Sequence, residues 1–399
     1  MSKISKLCLI AAFIAALGVV MVISVAAASP TLTSKEQLGK LIFFDENLSI
    51  NQNQDCAACH GPEVGWTGPI EAINMHGSVY EGSIPGAFGD RKPPSSAYAT
   101  LSPIFHMDKK GSFVGGNFWD GRATGEKLGN PAADQAQGPF LNPKEQALAS
   151  PADVVTRVCA AAYGDLFRQV WGAEVCDPAN VNMAYDAIGL SIAAYEGSAE
   201  VNAFSSKFDY ARKGQAKLTQ EEQKGYALFQ GKGGCKACHP SNGQNALFTD
   251  FTFDNLGIPK NPENPVYDYN PSFIDLGLGG FLATRSDYAV FADANMGKQK
   301  VPTLRNVDLR PSNDFIKDYG HNGYFKSLWG IVHFYNTRDV LPTCLGDYTE
   351  AQALAANCWP APEVSENVNR VELGNLGLTH AEEEAIVAFL GTLSDGFTP

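Results

Sequence analysis

Three stretches of the chain open on the same polar signal and continue as apolar faces at helical spacing. Thr33-x-x-Glu36, Thr219-x-x-Glu222 and Thr379-x-x-Glu382 each place a hydroxyl and a carboxylate where they can close a capping box. The first two align further: Gln37 with Gln223, Gly39 with Gly225, Ile42 with Leu228 and Phe43 with Phe229. That likeness predicts one helical unit present twice. Behind Thr379, residues Ile386, Val387, Phe389, Leu390 and Leu393 predict a terminal helix with one inward face. Met183 to Tyr195, with Ile188 and Ile192 inward, predicts the matching helix of the first unit. Strand signals are weak throughout. Residues 255–300 are rich in Pro, Asn, Asp and Gly and predict long irregular loops. The polar, basic stretch 205–217 predicts the boundary between the units.

The first residues follow another pattern. Lys3 and Lys6 precede an apolar run from Leu7 to Val25, and Ala26-Ala27-Ala28 offers a small-residue cleavage site. This predicts a secretory signal peptide over residues 1–28 and a periplasmic protein. The length of the run leaves an uncleaved membrane anchor as the alternative, and membrane association is expected only in that case. Cys8 lies too early in this segment for lipid attachment. The formal charge of −13 argues against nucleic acid or anionic lipid as a partner and suits a basic protein surface. A length of 399 residues with 44% hydrophobic and 18% charged positions is that of a globular chain of two or three domains.

Cysteine changes the picture most. Cys56-Ala-Ala-Cys59-His60 is answered by Cys235-Lys-Ala-Cys238-His239. Two thiols three positions apart can each form a thioether to one porphyrin edge, and the next residue offers an imidazole to the iron. This is the attachment signature of a c-type haem. A zinc ligand pair or a redox dithiol would use the thiols alone. Two copies, both followed by His in a chain that looks exported, favour two covalently bound haem c groups. Cys159, Cys176, Cys344 and Cys358 remain as two local pairs, and an oxidising compartment suggests disulfides Cys159–Cys176 and Cys344–Cys358. The fold class expected is all-α, with two cytochrome-c-like haem domains over residues 29–210 and 211–399 joined by long irregular loops.

Between the haem motifs stand Phe118-Trp119-Asp120-Gly121-Arg122, Gln135-Ala136-Gln137-Gly138-Pro139 and Asn142-Pro143-Lys144-Glu145. After the second come Pro302-Thr303-Leu304-Arg305-Asn306-Val307 and His321-Asn322-Gly323. Together these resemble the bacterial di-haem cytochrome c peroxidases and their MauG-like relatives, over nearly the whole chain beyond residue 28. The resemblance implies that His60 is the proximal ligand of a peroxide-reacting haem and His239 that of an electron-transfer haem. It implies that Trp119 relays electron holes between them. Gln135, Pro139 and Glu145 would stand in the distal pocket of the first haem. Cleaving a peroxide O–O bond needs a proton moved from the inner to the outer oxygen, and the Glu145 carboxyl is the acid–base candidate. The bland alternatives are a core tryptophan and an exposed helix charge.

The second haem separates the branches. In the peroxidases a Met fourteen residues after the His of His-x-Gly supplies its sixth ligand, and in MauG-like proteins that residue is Tyr. Here the position is Tyr335, within His333-Phe334-Tyr335-Asn336. A hard phenolate favours oxidised iron, whereas a thioether raises the reduction potential. The alternative is that Tyr335 only packs and His333 or another group binds the iron. His76 lies sixteen residues after His60, where resting peroxidases carry a displaceable distal His. The loop from Asn74 to Arg91 is longer than theirs, so both an iron ligand and an accidental alignment stay open. His106 and His380 carry no implied role.

Two departures stand out. The family holds calcium between its domains through an Asn after the Arg that is here Arg91. This chain has Lys92, whose ammonium could take the cation's place. Where MauG-type oxidases carry an exit Trp two residues before the second motif, this chain has Gly233. The function expected is a periplasmic oxidase that uses hydrogen peroxide to oxidise an aromatic side chain of a partner protein at long range. The rivals are a cytochrome c peroxidase fed by a small redox cytochrome, and a non-enzymatic two-haem electron carrier.

Overall fold

Helices α1 (Ser34–Phe43) and α5 (Gln220–Gln230) begin at Thr33 and Thr219, and both predicted capping boxes form. Between them lie α2 (Pro131–Leu141), α3 (Pro151–Ala160) and α4 (Val181–Glu196), and after them α6 (Leu328–Thr337) and α7 (His380–Gly391). The computed structural model describes residues 31–399. The predicted signal segment, with Lys3, Lys6 and Cys8, lies outside them.

Two helix crossings in the fold are each made at a glycine. A Cβ on Gly39 would stand 1.9 Å from the carbonyl oxygen of Ser191 in α4, and one on Gly225 would stand 1.8 Å from that of Ala385 in α7. Only a hydrogen fits there, so the backbones meet directly. Around the first crossing Leu38, Ile42, Phe43, Ile188, Ile192 and Tyr195 are buried in one core. Around the second, Phe229, Phe248, Ile386, Phe389, Leu390 and Leu393 are buried in another. The two local disulfides are present, Cys159–Cys176 and Cys344–Cys358.

Several expectations need amendment. The chain is helix-rich rather than purely helical. Two small antiparallel sheets occur, β1 (His106–Met107) with β2 (Phe113–Val114) and β3 (Phe253–Asp254) with β4 (Gln299–Lys300). Stretch 205–217, the expected boundary, carries a helix of its own. Ser206 caps a short helix over Lys207–Arg212, and Asp209 within it is buried in an ion pair with Arg305 at 2.6 Å. The region 255–300 carries helices Val266–Tyr269 and Gly277–Ala283 among its loops. Those loops are held by a third apolar cluster in which Phe105 and Phe113 pack with Phe253, Leu278 and Leu282. Residues far apart along the chain share this cluster, and Leu32–Pro399 fold as one unit.

Candidate functional site

Both haem motifs are tight turns. Asp55 accepts from the Ala58 N–H at 2.7 Å, and the His60 N–H reaches the Cys56 carbonyl at 3.0 Å. The second turn repeats this from His239 N–H to the Cys235 carbonyl at 2.9 Å. Each turn brings two thiols and an imidazole to one cavity. His60 Nδ1 lies 3.2 Å from the Trp66 carbonyl, and His239 Nδ1 lies 2.7 Å from that of Phe248. An Nδ1–H donated to a carbonyl fixes the tautomer and frees Nε2 for a metal. Burial lowers the pKa of both imidazoles, which keeps them in the neutral form that ligates. Burial pushes the Cys235 and Cys238 thiols up to about 12 and raises those of Cys56 and Cys59 as well. A thiol that stays protonated when the site is empty is available for thioether attachment. All four cysteines are free of disulfides. The donor set therefore fits two c-type haems.

The larger cavity, about 230 Å³, is lined by Cys235, Cys238, His239 and Tyr335, with Trp119 at its edge. Trp119 also lines the cavity that holds His60 and Gln135. Its indole is 9% exposed, and its Nε1 donates to the Lys92 carbonyl at 2.9 Å. Phe118 before it sits at φ +61°, a left-handed conformation that bulky residues seldom adopt. The Arg122 guanidinium lies 4.0 Å over the Phe118 ring and closes the turn that carries Trp119. Tyr335 comes from α6. Burial raises the pKa of its phenol, so only a cation at the oxygen would make it a phenolate.

Gln135, Pro139 and Glu145 line a third cavity together with Cys56, Cys59 and His60. Gln135 and Pro139 belong to α2. The missing N–H of Pro139 leaves the helix bond to the Gln135 carbonyl unmade, and α2 ends at Leu141. The turn that follows puts Glu145 back against the helix, with the Asn142 amide donating to its Oε2 at 2.8 Å. Burial raises the Glu145 pKa, and the Asn142 hydrogen bond opposes the shift.

The model of the di-haem cytochrome c peroxidase family matches residues 33–217. The methylamine utilization protein MauG of Paracoccus denitrificans is 34% identical over 375 residues, 92% of this chain and 90% of its own. The chain belongs to the di-haem cytochrome c peroxidase family. It is a haem-dependent oxidoreductase that acts with peroxide. Cytochrome c551 peroxidase of Nitrosomonas europaea is 29% identical over 71% of this chain and 69% of its own. The solved di-haem peroxidase BthA of Burkholderia thailandensis has a TM-score of 0.75 at 29% identity, over 93% of this chain and 88% of its own.

The structure does not bring His76 together with His60. The His76 side chain is 64% exposed and pairs with Glu263 at 3.0 Å. It does not join His60 in either cavity that His60 lines. The Asn261 side-chain amide donates to the His76 carbonyl at 3.1 Å and ties the long loop to the second half of the chain. Lys92 is buried with its ammonium 2.9 Å from both the carboxylate and the carbonyl of Asp318. Beside it the Arg91 guanidinium binds Asp275 through two bonds of 2.6 Å and Asp120 through a third of 2.6 Å. Gly233 lines the second cavity and has no side chain to lead outward.

Sequence reading missed Glu196. This last residue of α4 is 3% exposed, lines both cavities around His60, and its Oε2 has no hydrogen-bond partner. Burial pushes its carboxyl up to about 8. The only signal was a Glu ending a largely apolar helix, and a surface cap reads the same way.

Proposed function

We propose that this protein is an exported, MauG-like di-haem oxidase that uses hydrogen peroxide to oxidise an aromatic side chain of a partner protein at long range. Haem c is attached through Cys56 and Cys59 with His60 on its iron, and through Cys235 and Cys238 with His239. When bound, the haems supply the iron that takes oxidising equivalents from peroxide and holds them. Glu145 moves the peroxide proton from inner to outer oxygen. Gln135 and Pro139 shape the pocket in which it does so. Trp119 carries electrons between the two cavities whose wall it shares. Lys92, rather than calcium, supplies the positive charge between the haem regions. Residues 1–28 are the export signal.

The observation that carries the reading is Tyr335 beside His239, at the position where a peroxidase needs methionine. A phenol oxygen there makes the second centre a store of oxidising equivalents and a poor inlet for electrons. The experiment is to add peroxide to the diferric holoprotein and to a Tyr335→Met variant. The wild type should develop a near-infrared charge-resonance band. The variant should lose it, and the potential of its second haem should rise. An unchanged spectrum and potential in the variant would remove the tyrosine from the iron. Likeness to cytochrome c551 peroxidase favours a second reading, reduction of peroxide with electrons from a small cytochrome. Steady turnover of the wild type with reduced cytochrome c at roughly 1–1000 per second would establish it instead.

A further inference from the structure

The two faces of α6 meet different surroundings. Leu328, Ile331, Val332 and Tyr335 line the second cavity. Trp329 and His333, one turn apart, lie off that lining and only half-buried. Their rings stack at 4.7 Å with an interplanar angle of 12°. Aromatic contacts run on from this pair to the tyrosine. His333 lies 6.0 Å from Trp359, Trp359 lies 5.1 Å from Phe334, and Phe334 lies 6.2 Å from Tyr335. No step between ring centroids along this path exceeds 6.2 Å.

At the outer end the indole has a proton acceptor. Trp329 Nε1 donates to His380 Nδ1 at 3.2 Å. The His380 side chain is 67% exposed at the start of α7, with Glu383 3.8 Å from Nδ1 and Glu384 3.6 Å from Nε2. An indole N–H can only donate, so this bond defines Nδ1 as the basic nitrogen. The adjacent carboxylates suit an imidazole that gains a positive charge. A tryptophan that merely packs needs none of this arrangement.

We propose that Trp329 is the port through which oxidising equivalents leave the second haem centre. This rests on the reading of the function above. The indole gives one electron to the centre oxidised by peroxide, and its Nε1 proton moves to Nδ1 of His380. A neutral indolyl radical and an imidazolium result. An electron from the partner's aromatic side chain then refills the indole, and the proton returns from His380 to Nε1. The partner's ring releases its own proton to solvent. Two such passes deliver the two electrons that, with two protons, reduce one hydrogen peroxide to two waters. The port serves a donor too large to reach either iron, in a chain with glycine at position 233.

The test uses full-length diferric holoprotein with one equivalent of hydrogen peroxide and no donor. Trp329 should be the residue that gains oxygen in peptide mass spectra as the wild-type oxidised state decays. Trp329→Phe should form the oxidised state at the wild-type rate and keep it several-fold longer, and Trp329→Tyr, which keeps an oxidisable ring, should restore the decay. His380→Phe should lose the slowing of decay that the wild type shows in D2O. Decay of Trp329→Phe at the wild-type rate, or no oxygen on Trp329 in the wild type, overturns the port alone. Failure of the wild type to form any doubly oxidised state overturns the proposed function, and the port with it.

Discussion

Glu145 and Glu196 are two carboxyls on one site, and burial raises the pKa of both. Glu145 receives a hydrogen bond from Asn142, and Ser96 opposes the shift of Glu196 in the same way while its Oε2 stays unpartnered. A carboxyl held at about 8 is protonated at neutral pH and can donate. The shift is also a statement about stability. Its folded value lies above the ordinary 4.5, so stability is fully present below pH 4.5 and is lost as pH rises towards 8. Glu196→Gln should remove that loss. Denaturant unfolding of the holoprotein between pH 4.5 and 8 should show the variant gaining on the wild type as pH rises. A constant difference across the window would mean that Glu196 is ionised on the native protein. No pattern in the chain distinguishes Glu196 from an ordinary helix-ending glutamate, because the residues around it, Ser96 and His60, lie a hundred positions or more away.

Helix crossings set the geometry of both units. Gly39 and Gly225 were legible as a repeated position, and the reason for them is steric. The nearest carbonyl oxygens stand 1.9 and 1.8 Å from where a Cβ would be. In an open helix, Gly→Ala stabilises by about 1 kcal/mol. Here the methyl must push two backbones apart, and overpacking of this kind costs about 1–3 kcal/mol or more. Gly39→Ala and Gly225→Ala should therefore each lower the melting temperature, with Gly39→Ala disturbing the Soret spectrum of the first haem and Gly225→Ala that of the second. A rise in melting temperature for either would show that the helices can separate freely.

At the scale of the molecule, Arg91 clamps Asp120 from the first half of the chain to Asp275 from the second. Burial alone would raise the pKa of both aspartates, and the guanidinium outweighs it and holds both below the ordinary carboxylate range. Stability from this clamp is present above pH 3.8 and is lost as pH falls below that value. Asp275→Ala leaves a buried guanidinium half-paired, a change that costs about 3–5 kcal/mol. Unfolding at pH 7 should report that loss, and acid titration should show the variant less sensitive than the wild type below pH 3.8. The same clamp lies beside Lys92, whose carbonyl accepts from Trp119, so under the proposed function loosening it should also slow electron exchange between the haems.

Features that depend on a few neighbouring residues could be read directly from the chain. Capping boxes, the spacing of two thiols and an imidazole, and disulfides closed across 17 and 14 positions are all of this kind. Their physics is local, and no distant contact can undo it. Placement across the fold could not be read so. His76 has the right spacing from His60, yet Glu263 and Asn261 draw it to the surface. Trp119 becomes a shared wall, Glu196 an inward acid, and Trp329 a neighbour of His380 only when segments dozens to hundreds of positions apart are packed together. Burial and proximity then decide which side chains carry charge, protons and electrons.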